Sequence, residues 1–304
     1  MKRLLIAADV DSSFRQAAAR DGRFDVVERP VTTEDELAAA IGDAEILVTR
    51  SYNRVSRRVL DAAPRLRLIA QGTSGTDNID LDAARERGIA VLNLPGANAN
   101  GVAELVIGFL IAMTRTMPAY TREMTGGLWN RADAATRHEL AHHSLGIIGL
   151  GEVGRRVARL AGAFSMRPRA LDPFLTDDTF EQRGAARVMT LPEILACDIV
   201  TLHVPLTPET RGMIGAAEIA SMRPGSFLVN ASRGEVLDQR AALDALSAKH
   251  LAGLALDVFD PEPPPGGFPD DPRLILTPHI GGGTHEAKSA IGAKLYEKIV
   301  EFFG

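Results

Sequence analysis

"LGIIGLGEVGRRVARLAGAF" runs from Leu145 to Phe164, and its reading decides the fold. An apolar, strand-like run ends at Gly149. Gly149, Gly151 and Gly154 then match G-x-G-x-x-G, with Glu152 and Val153 inside the motif, and a helical pattern follows. Asp172 closes the next strand-like run, "RPRALD", roughly 20 residues after the motif. A lone glycine match is weak. Between a strand and a helix, with an acid at this distance, it reads as a dinucleotide site rather than a glycine-rich structural turn. Gly149 permits the tight turn, Gly151 lets backbone approach a pyrophosphate, and Gly154 lets the helix pack close to its strand. The helix N-terminus offers N–H groups and a positive dipole end to phosphates. Asp172 can accept from a ribose 2′-hydroxyl and repels a 2′-phosphate, so the expected cofactor is NAD rather than NADP.

On both sides of this stretch, strand-like runs alternate with helical patterns. "RLLIA" at Arg3, "EILVT" at Glu45, "RLIAQ" at Arg67 and "IAVLN" at Ile89 precede it. "DIVTLHV" at Asp198, "SFLVNAS" at Ser226, "LAGLALDVF" at Leu251 and "RLILT" at Arg273 follow it. Such alternation predicts an α/β fold of two Rossmann-like, doubly wound parallel-sheet domains with a cleft between them. The expected first domain is 1–97 plus 280–304, because the last helical stretch, "THEAKSAIGAKLYEKIVEFF", is too short to stand alone. The second domain is 98–279. A long helical stretch is expected from Asn98 to about Met117, its apolar content suiting a helix buried between the domains.

With 304 residues, two domains is the natural expectation. Hydrophobic content of 45% and charged content of 24% are ordinary for a globular chain. The net charge of −5 argues against nucleic acid or an anionic membrane as partner. No run approaches the roughly 18 apolar residues of a membrane span, and the N-terminus lacks a signal-peptide pattern. Cys197 is the single cysteine, which suits the cytoplasm. His138, His142 and His143 have no carboxylate or cysteine joining them at ligand spacing, so no metal is expected.

Four chemically capable residues follow strand-like runs of the second half: Arg233 in "VNASRGEVLD", Asp257 and Glu262 in "LDVFDPEPPP", and His279 in "TPHIGGG". In an open parallel sheet, ligands sit outside the carboxyl ends of strands. Moving a hydride to or from a carbon that bears oxygen requires a proton at that oxygen, and histidine suits this near neutral pH. A carboxylate beside it raises its pKa and orients it. An arginine can clamp a substrate carboxylate with two hydrogen bonds. Alone, each has a plainer reading: a surface ion pair, a solvated loop acid, a structural hydrogen-bonder. Together, and in this order, they read as catalytic.

The set "GLGEVG…LDP…LHVPLTPETRGMI…NASRGEVLD…LALDVFDPEP…TPHIGG" resembles the D-2-hydroxyacid dehydrogenases over nearly the whole chain. The resemblance implies an NAD-dependent interconversion of a D-2-hydroxy acid and its 2-oxo acid. It implies Arg233, Glu262 and His279 as the catalytic set and Asp257 as a contact of the nicotinamide amide. His203, Val204 and Pro205 resemble the segment lining the adenosine side. Glu262 disfavours the formate-dehydrogenase subgroup, which pairs its histidine with glutamine. A non-catalytic NAD-sensing scaffold shares the fold and can keep these residues.

The substrate is expected on the first domain. Thr73, Ser74 and Gly75, in "AQGTSGTDNID", form either an anion nest or an ordinary turn. They resemble the carboxylate-binding loop, but "TSGTDN" stands where "GTGVDN" is commonest. Asn98 sits at the substrate-side asparagine. Arg50 and Ser51, with Arg131 after Trp129-Asn130, resemble the short 3-phosphoglycerate dehydrogenase-like members, in which the second basic residue reaches across from a partner subunit. Lys288 adds charge. Glyoxylate or hydroxypyruvate reduction is the rival reading. The apolar helix and "YTREMTGGLWNRAD" imply a homodimer. The chain ends at Gly304, so no C-terminal regulatory domain is expected.

Overall fold

The runs at Ile46 and Leu68 are buried on both faces, as the inner strands of a helix-covered parallel sheet must be. In the computed structural model, which describes residues 1–132 and 135–304, the first sheet contains β1 (Lys2–Ile6), β2 (Phe24–Glu28), β3 (Ile46–Thr49), β4 (Leu68–Gln71) and β5 (Ala90–Leu92). Its order is β2-β1-β3-β4-β5, and every pairing is parallel. The chain reverses direction between β1 and β3, a switch point where ligands of such sheets bind, and Arg50 follows β3 directly.

The second sheet contains β6 (Ser144–Ile148), β7 (Arg167–Leu171), β8 (Ala186–Arg187), β9 (Ile199–Leu202), β10 (Ser226–Asn230), β11 (Leu251–Leu256) and β12 (Leu274–Leu276). Its order is β12-β11-β10-β9-β6-β7-β8, again all parallel. Here the reversal lies between β6 and β9. The contacts divide the chain into two units, residues 1–98 with 283–304, and residues 99–282.

Within the first unit, the last helix (His285–Phe303) lies against the helix Ser12–Arg20. The rings of Phe14 and Tyr296 meet edge to face at 6.2 Å, and Tyr296 Oη donates to Asp21 Oδ2 at 2.6 Å. Gly292 allows this approach, since a Cβ there would stand 3.0 Å from the Asp11 Cβ.

One feature differs from the sequence expectation. The edge strand β2 and the two-residue β8 do not announce themselves, because each has one neighbour and a charged, half-exposed pattern. The expected long helix is present and ends within three residues of its expected limit. Ala99–Thr114 is buried along Val102, Val106, Leu110 and Met113 within the second unit. A second helix, Met117–Thr125, departs at 62°. Pro118 explains the break: it has no N–H to donate, and its ring clashes with the carbonyl one turn back. Thr116 takes up the turn in the left-handed region, with φ +50°. Among the described residues no single helix is long and apolar enough to cross a membrane.

Candidate active site

The glycine loop is built as its chemistry requires. Gly149 has φ +90°, and a Cβ there would lie 2.7 Å from the His203 carbonyl oxygen. A Cβ on Gly154 would lie 2.1 Å from the Gly149 oxygen, so this glycine lets the helix Glu152–Ala163 start against its strand. A Cβ on Gly151 would meet open space, and no side chain caps the helix there, leaving its N–H groups for an anion. Asp172 Oδ2 accepts from the Leu150 N–H at 3.0 Å and Oδ1 from Phe174 N–H at 3.1 Å, which fixes the carboxylate beside the loop. The carbonyl of Leu150 is held too, since Arg183 donates to it. No motif marks Arg183; it closes a short helix, and only the fold reveals the contact.

Glu152 turns to its own helix, pairing with Arg155 and Arg156 at 2.7 Å each. Those hydrogen bonds, Arg155's first, hold its carboxyl down to about 2. Val153 packs against the core of this unit. His203, Val204 and Pro205 follow β9. Burial lowers the His203 imidazole to about 3, so it stays neutral. Its Nε2 bonds Thr201 Oγ1 at 3.0 Å, while Nδ1 is buried with no partner among the described residues. Uncapped N–H groups, open space at Gly151 and a fixed acid at Asp172 fit a dinucleotide.

Three adjacent strands, β10, β11 and β12, end level, with Asn230 opposite Leu256 and Leu256 opposite Leu276. Arg233, Asp257 and His279 therefore leave the same edge of the sheet. His279 Nδ1 lies 2.8 Å from Glu262 Oε2, and Glu262 Oε1 accepts from the Phe259 N–H at 2.9 Å. The hydrogen bond to Glu262 raises the histidine pKa against the opposing effect of burial. Burial works against the charge on Glu262, but the His279 hydrogen bond and charge outweigh it and hold the carboxyl below its usual range. Arg233 adds positive charge beside the pair, and its Nη1 donates to the Ser232 carbonyl at 2.8 Å. Gly234 is required here: a Cβ would lie 2.0 Å from the Phe259 carbonyl.

Asp257 has a task the resemblance did not imply. It is buried, and its carboxylate accepts from Thr277 Oγ1 (2.6 Å), Ile280 N–H (2.8 Å) and Gly281 N–H (2.9 Å). Its carbonyl accepts from His279 N–H at 2.8 Å. These bonds hold His279 at φ +53°, a left-handed conformation costly for a non-glycine residue. Strain enforced by surrounding bonds in this way marks functional positions.

The substrate-side residues of the first unit form their own group. Arg50 is half-buried, and among the described residues no carboxylate pairs with its guanidinium. Ser51 beside it is exposed. The hydroxyls of Thr73 and Ser74 are spent on the loop itself. Thr73 Oγ1 bonds Gln71 Nε2 (2.8 Å) and the Gly75 carbonyl (3.2 Å), and Ser74 Oγ bonds Asn98 Oδ1 (3.1 Å) and the Leu94 carbonyl (3.1 Å). The N–H groups of Thr73, Ser74, Gly75 and Thr76 donate to no acceptor among the described residues. Any nest here is therefore made of backbone. Lys288 sits 3.7 Å from the Asp9 carboxylate, which offsets its charge. Arg131, in the second unit, is exposed; its carbonyl accepts from Arg137 at 3.0 Å. His138 and His143 stack edge to face at 5.7 Å, and no metal-ligating group occurs among the described residues.

Comparison with known proteins gives the family and the fold. Residues 107–281 match the model for the D-isomer specific 2-hydroxyacid dehydrogenase NAD-binding domain. The D-3-phosphoglycerate dehydrogenase of Methanocaldococcus jannaschii is 40% identical over 273 residues, covering 88% of this chain and 51% of the relative. The chain spans about half the length of the curated relatives it matches. Among solved structures, a glyoxylate reductase from Paecilomyes thermophila superposes with TM-score 0.89 at 28% identity, covering 99% of this chain and 94% of that one. D-lactate dehydrogenase from Aquifex aeolicus, complexed with NAD and lactic acid, gives 0.87 at 26% identity, covering 99% and 95%.

Proposed function

The chain belongs to the D-isomer-specific 2-hydroxyacid dehydrogenase family, and on that premise we propose that it interconverts a D-2-hydroxy acid and its 2-oxo acid with NAD. The observation that carries this reading is the His279–Glu262 pair, 2.8 Å apart, beside Arg233 on the strand edge of the NAD-binding unit. Glycines 149, 151 and 154 with Asp172 hold the dinucleotide, which when bound supplies or accepts the hydride. His279 keeps Nδ1 on Glu262, so Nε2 is the nitrogen that gives a proton to the carbonyl oxygen in reduction and takes it back in oxidation. Glu262 stabilises the charged imidazole. Arg233 takes the substrate carboxylate through its planar fork.

The substrate is a phosphorylated three-carbon acid of the 3-phosphoglycerate type. Arg50, with no carboxylate partner at the switch point of the first sheet, supports this, as does the 40% identity to a D-3-phosphoglycerate dehydrogenase. Glyoxylate or hydroxypyruvate reduction is the second reading, favoured by the likeness to the glyoxylate reductase structure. The chain works as a homodimer in the cytoplasm. The helix Met117–Thr125 buries none of its residues, and Trp129 beyond it is 74% exposed, which supports a partner copy there. The buried, unpaired thiol of Cys197 suits a reducing compartment. The test is a set of 2-oxo acids, with and without phosphate, assayed by NADH absorbance. Turnover of none of them would overturn the dehydrogenase reading.

A further inference from the structure

The mechanism leaves unused a linked set of three side-chain amides in the first unit: Asn53, Gln71 and Asn78. Asn53 is 2% exposed and Gln71 0%. Asn78 Nδ2 donates to the carbonyls of Arg50 (3.1 Å) and Asn53 (2.7 Å), both in the turn after β3. Its Oδ1 accepts from Gln71 Nε2 at 2.9 Å. That nitrogen also lies 2.8 Å from Thr73 Oγ1 and 3.1 Å from the Gly75 carbonyl, in the turn after β4. Asn53 Oδ1 accepts from the Arg50 N–H at 3.0 Å and from Thr49 Oγ1 at 3.1 Å, and its Nδ2 donates to the Val31 carbonyl at 2.8 Å. One carboxamide, Asn78, thus ties the turn that carries Arg50 to the turn whose N–H groups have no acceptor among the described residues.

A purely stabilising role fits this poorly. Gln71 Oε1 is buried with no partner among the described residues, and a half-satisfied buried amide is worse for stability than an apolar side chain of the same volume. The amide orientation is set instead by what it holds in place, the Thr73–Gly75 turn.

We propose that Asn78 is a positioning residue, fixing the spacing between Arg50 and the backbone N–H groups of Thr73–Thr76 so that the two bind a two-ended anion as one unit. The proposal rests on the hydroxy-acid reading above and assigns its substrate-recognition geometry. The ligand class is a small acid with a carboxylate at one end and a second anionic group at the other.

Two variants cut the link at different points. Asn78→Asp keeps the acceptor for Gln71 but removes the donor to the Arg50 and Asn53 carbonyls. Gln71→Met keeps the volume but releases the Thr73–Gly75 turn. In the full chain, 2-phosphoglycolate and oxalate are titrated by calorimetry, KM and kcat are measured for reduction of a phosphorylated three-carbon 2-oxo acid, and NADH binding is followed by fluorescence. Both variants should weaken 2-phosphoglycolate binding and raise KM by about 10-fold or more, the scale on which small misplacements act. The kcat should stay within about threefold and NADH binding unchanged. Arg50→Ala should cost much less in the Asn78→Asp background than in the wild type, because coupled residues are non-additive. Folded variants with wild-type titrations, or with kcat and NADH affinity falling in step with the rise in KM, overturn the proposal. If Asn78→Asp fails to fold, Gln71→Met decides by the same criteria. A wild type that reduces no 2-oxo acid overturns the dehydrogenase reading separately, and the two titrations still decide the positioning role.

Discussion

At the scale of single residues, the behaviour of the proposed site turns on one proton. Glu262 raises the pKa of His279. The charged imidazole is the acid that reduction needs, so reductive turnover is full at low pH and is lost as pH rises through that raised value. Oxidation needs the neutral form and gains over the same interval. Glu262→Gln removes the main cause of the shift, so the reductive limb should fall at lower pH than in the wild type, which a kcat/KM profile against pH reads directly. An unmoved limb would refute the pairing. His279→Ala should lower turnover by ~100-fold or more, the usual scale for a positioned acid–base group, with NADH affinity nearly unchanged. Asp172 governs a separate property. Its carboxylate stands fixed beside the glycine loop, where a 2′-phosphate would meet like charge, so Asp172→Ala should weaken NADH binding and improve the ratio of NADPH to NADH use. Equal wild-type affinity for both cofactors would count against that assignment.

At the scale of elements, the site is a consequence of parallel strands ending level. β10, β11 and β12 deliver Arg233, Asp257 and His279 to one edge, and close approach between loops keeps them there. Gly234 is the tightest point, with no room for a Cβ beside the Phe259 carbonyl. Gly234→Ala must push the loops of Arg233 and Glu262 apart. Stability should fall by about 3 kcal/mol, the upper end of over-packing costs, which is on the order of 5–10 °C in Tm for a unit of this size. Thermal unfolding with and without NADH checks it; a wild-type Tm would mean the loops yield freely. Much of this architecture was legible in the sequence, because inner strands such as β3, β4 and β9 are mostly apolar and buried throughout and the glycine motif has a mechanism at each position. β2 and β8 were not, since an edge strand with charged residues carries no such signal. The His279 segment stood out by its odd chemistry, yet Asp257's grip on it could not be read, because three hydrogen bonds to one carboxylate depend on a left-handed turn that no spacing predicts. The hydroxyls of Thr73 and Ser74 were legible as polar and illegible as already spent.

At the scale of the whole molecule, two properties of the surface set the remaining predictions. Met117, Met124, Leu128 and Trp129 are each more than half exposed, a cluster of large apolar side chains that marks an association surface more often than a monomer face. Light scattering at micromolar concentration should give twice the 32.5 kDa chain mass, and a Leu128→Asp, Trp129→Asp double variant should shift it toward one; a monomeric wild type contradicts the dimer. The second property is charge. A protein of net charge −5 repels a phosphorylated acid at long range, so such a substrate needs local cations. Arg50 follows β3 at the switch point of its sheet, with no carboxylate among the described residues to neutralise it. In the proposed dimer, Arg131 of the Trp129 segment supplies the second cation to the partner's substrate. Both act on phosphate and neither on the reacting carbon. Arg50→Ala and Arg131→Ala should therefore raise KM for the phosphorylated acid much more than for glyoxylate or hydroxypyruvate. Rising salt should erode the same preference by screening, while Arg233→Lys, which loses the fork at the carboxylate, should impair all of these acids alike. Equal losses from Arg50→Ala on phosphorylated and unphosphorylated acids, or a wild type that prefers glyoxylate, would reassign both arginines to the solvated surface and leave the glyoxylate reading in possession.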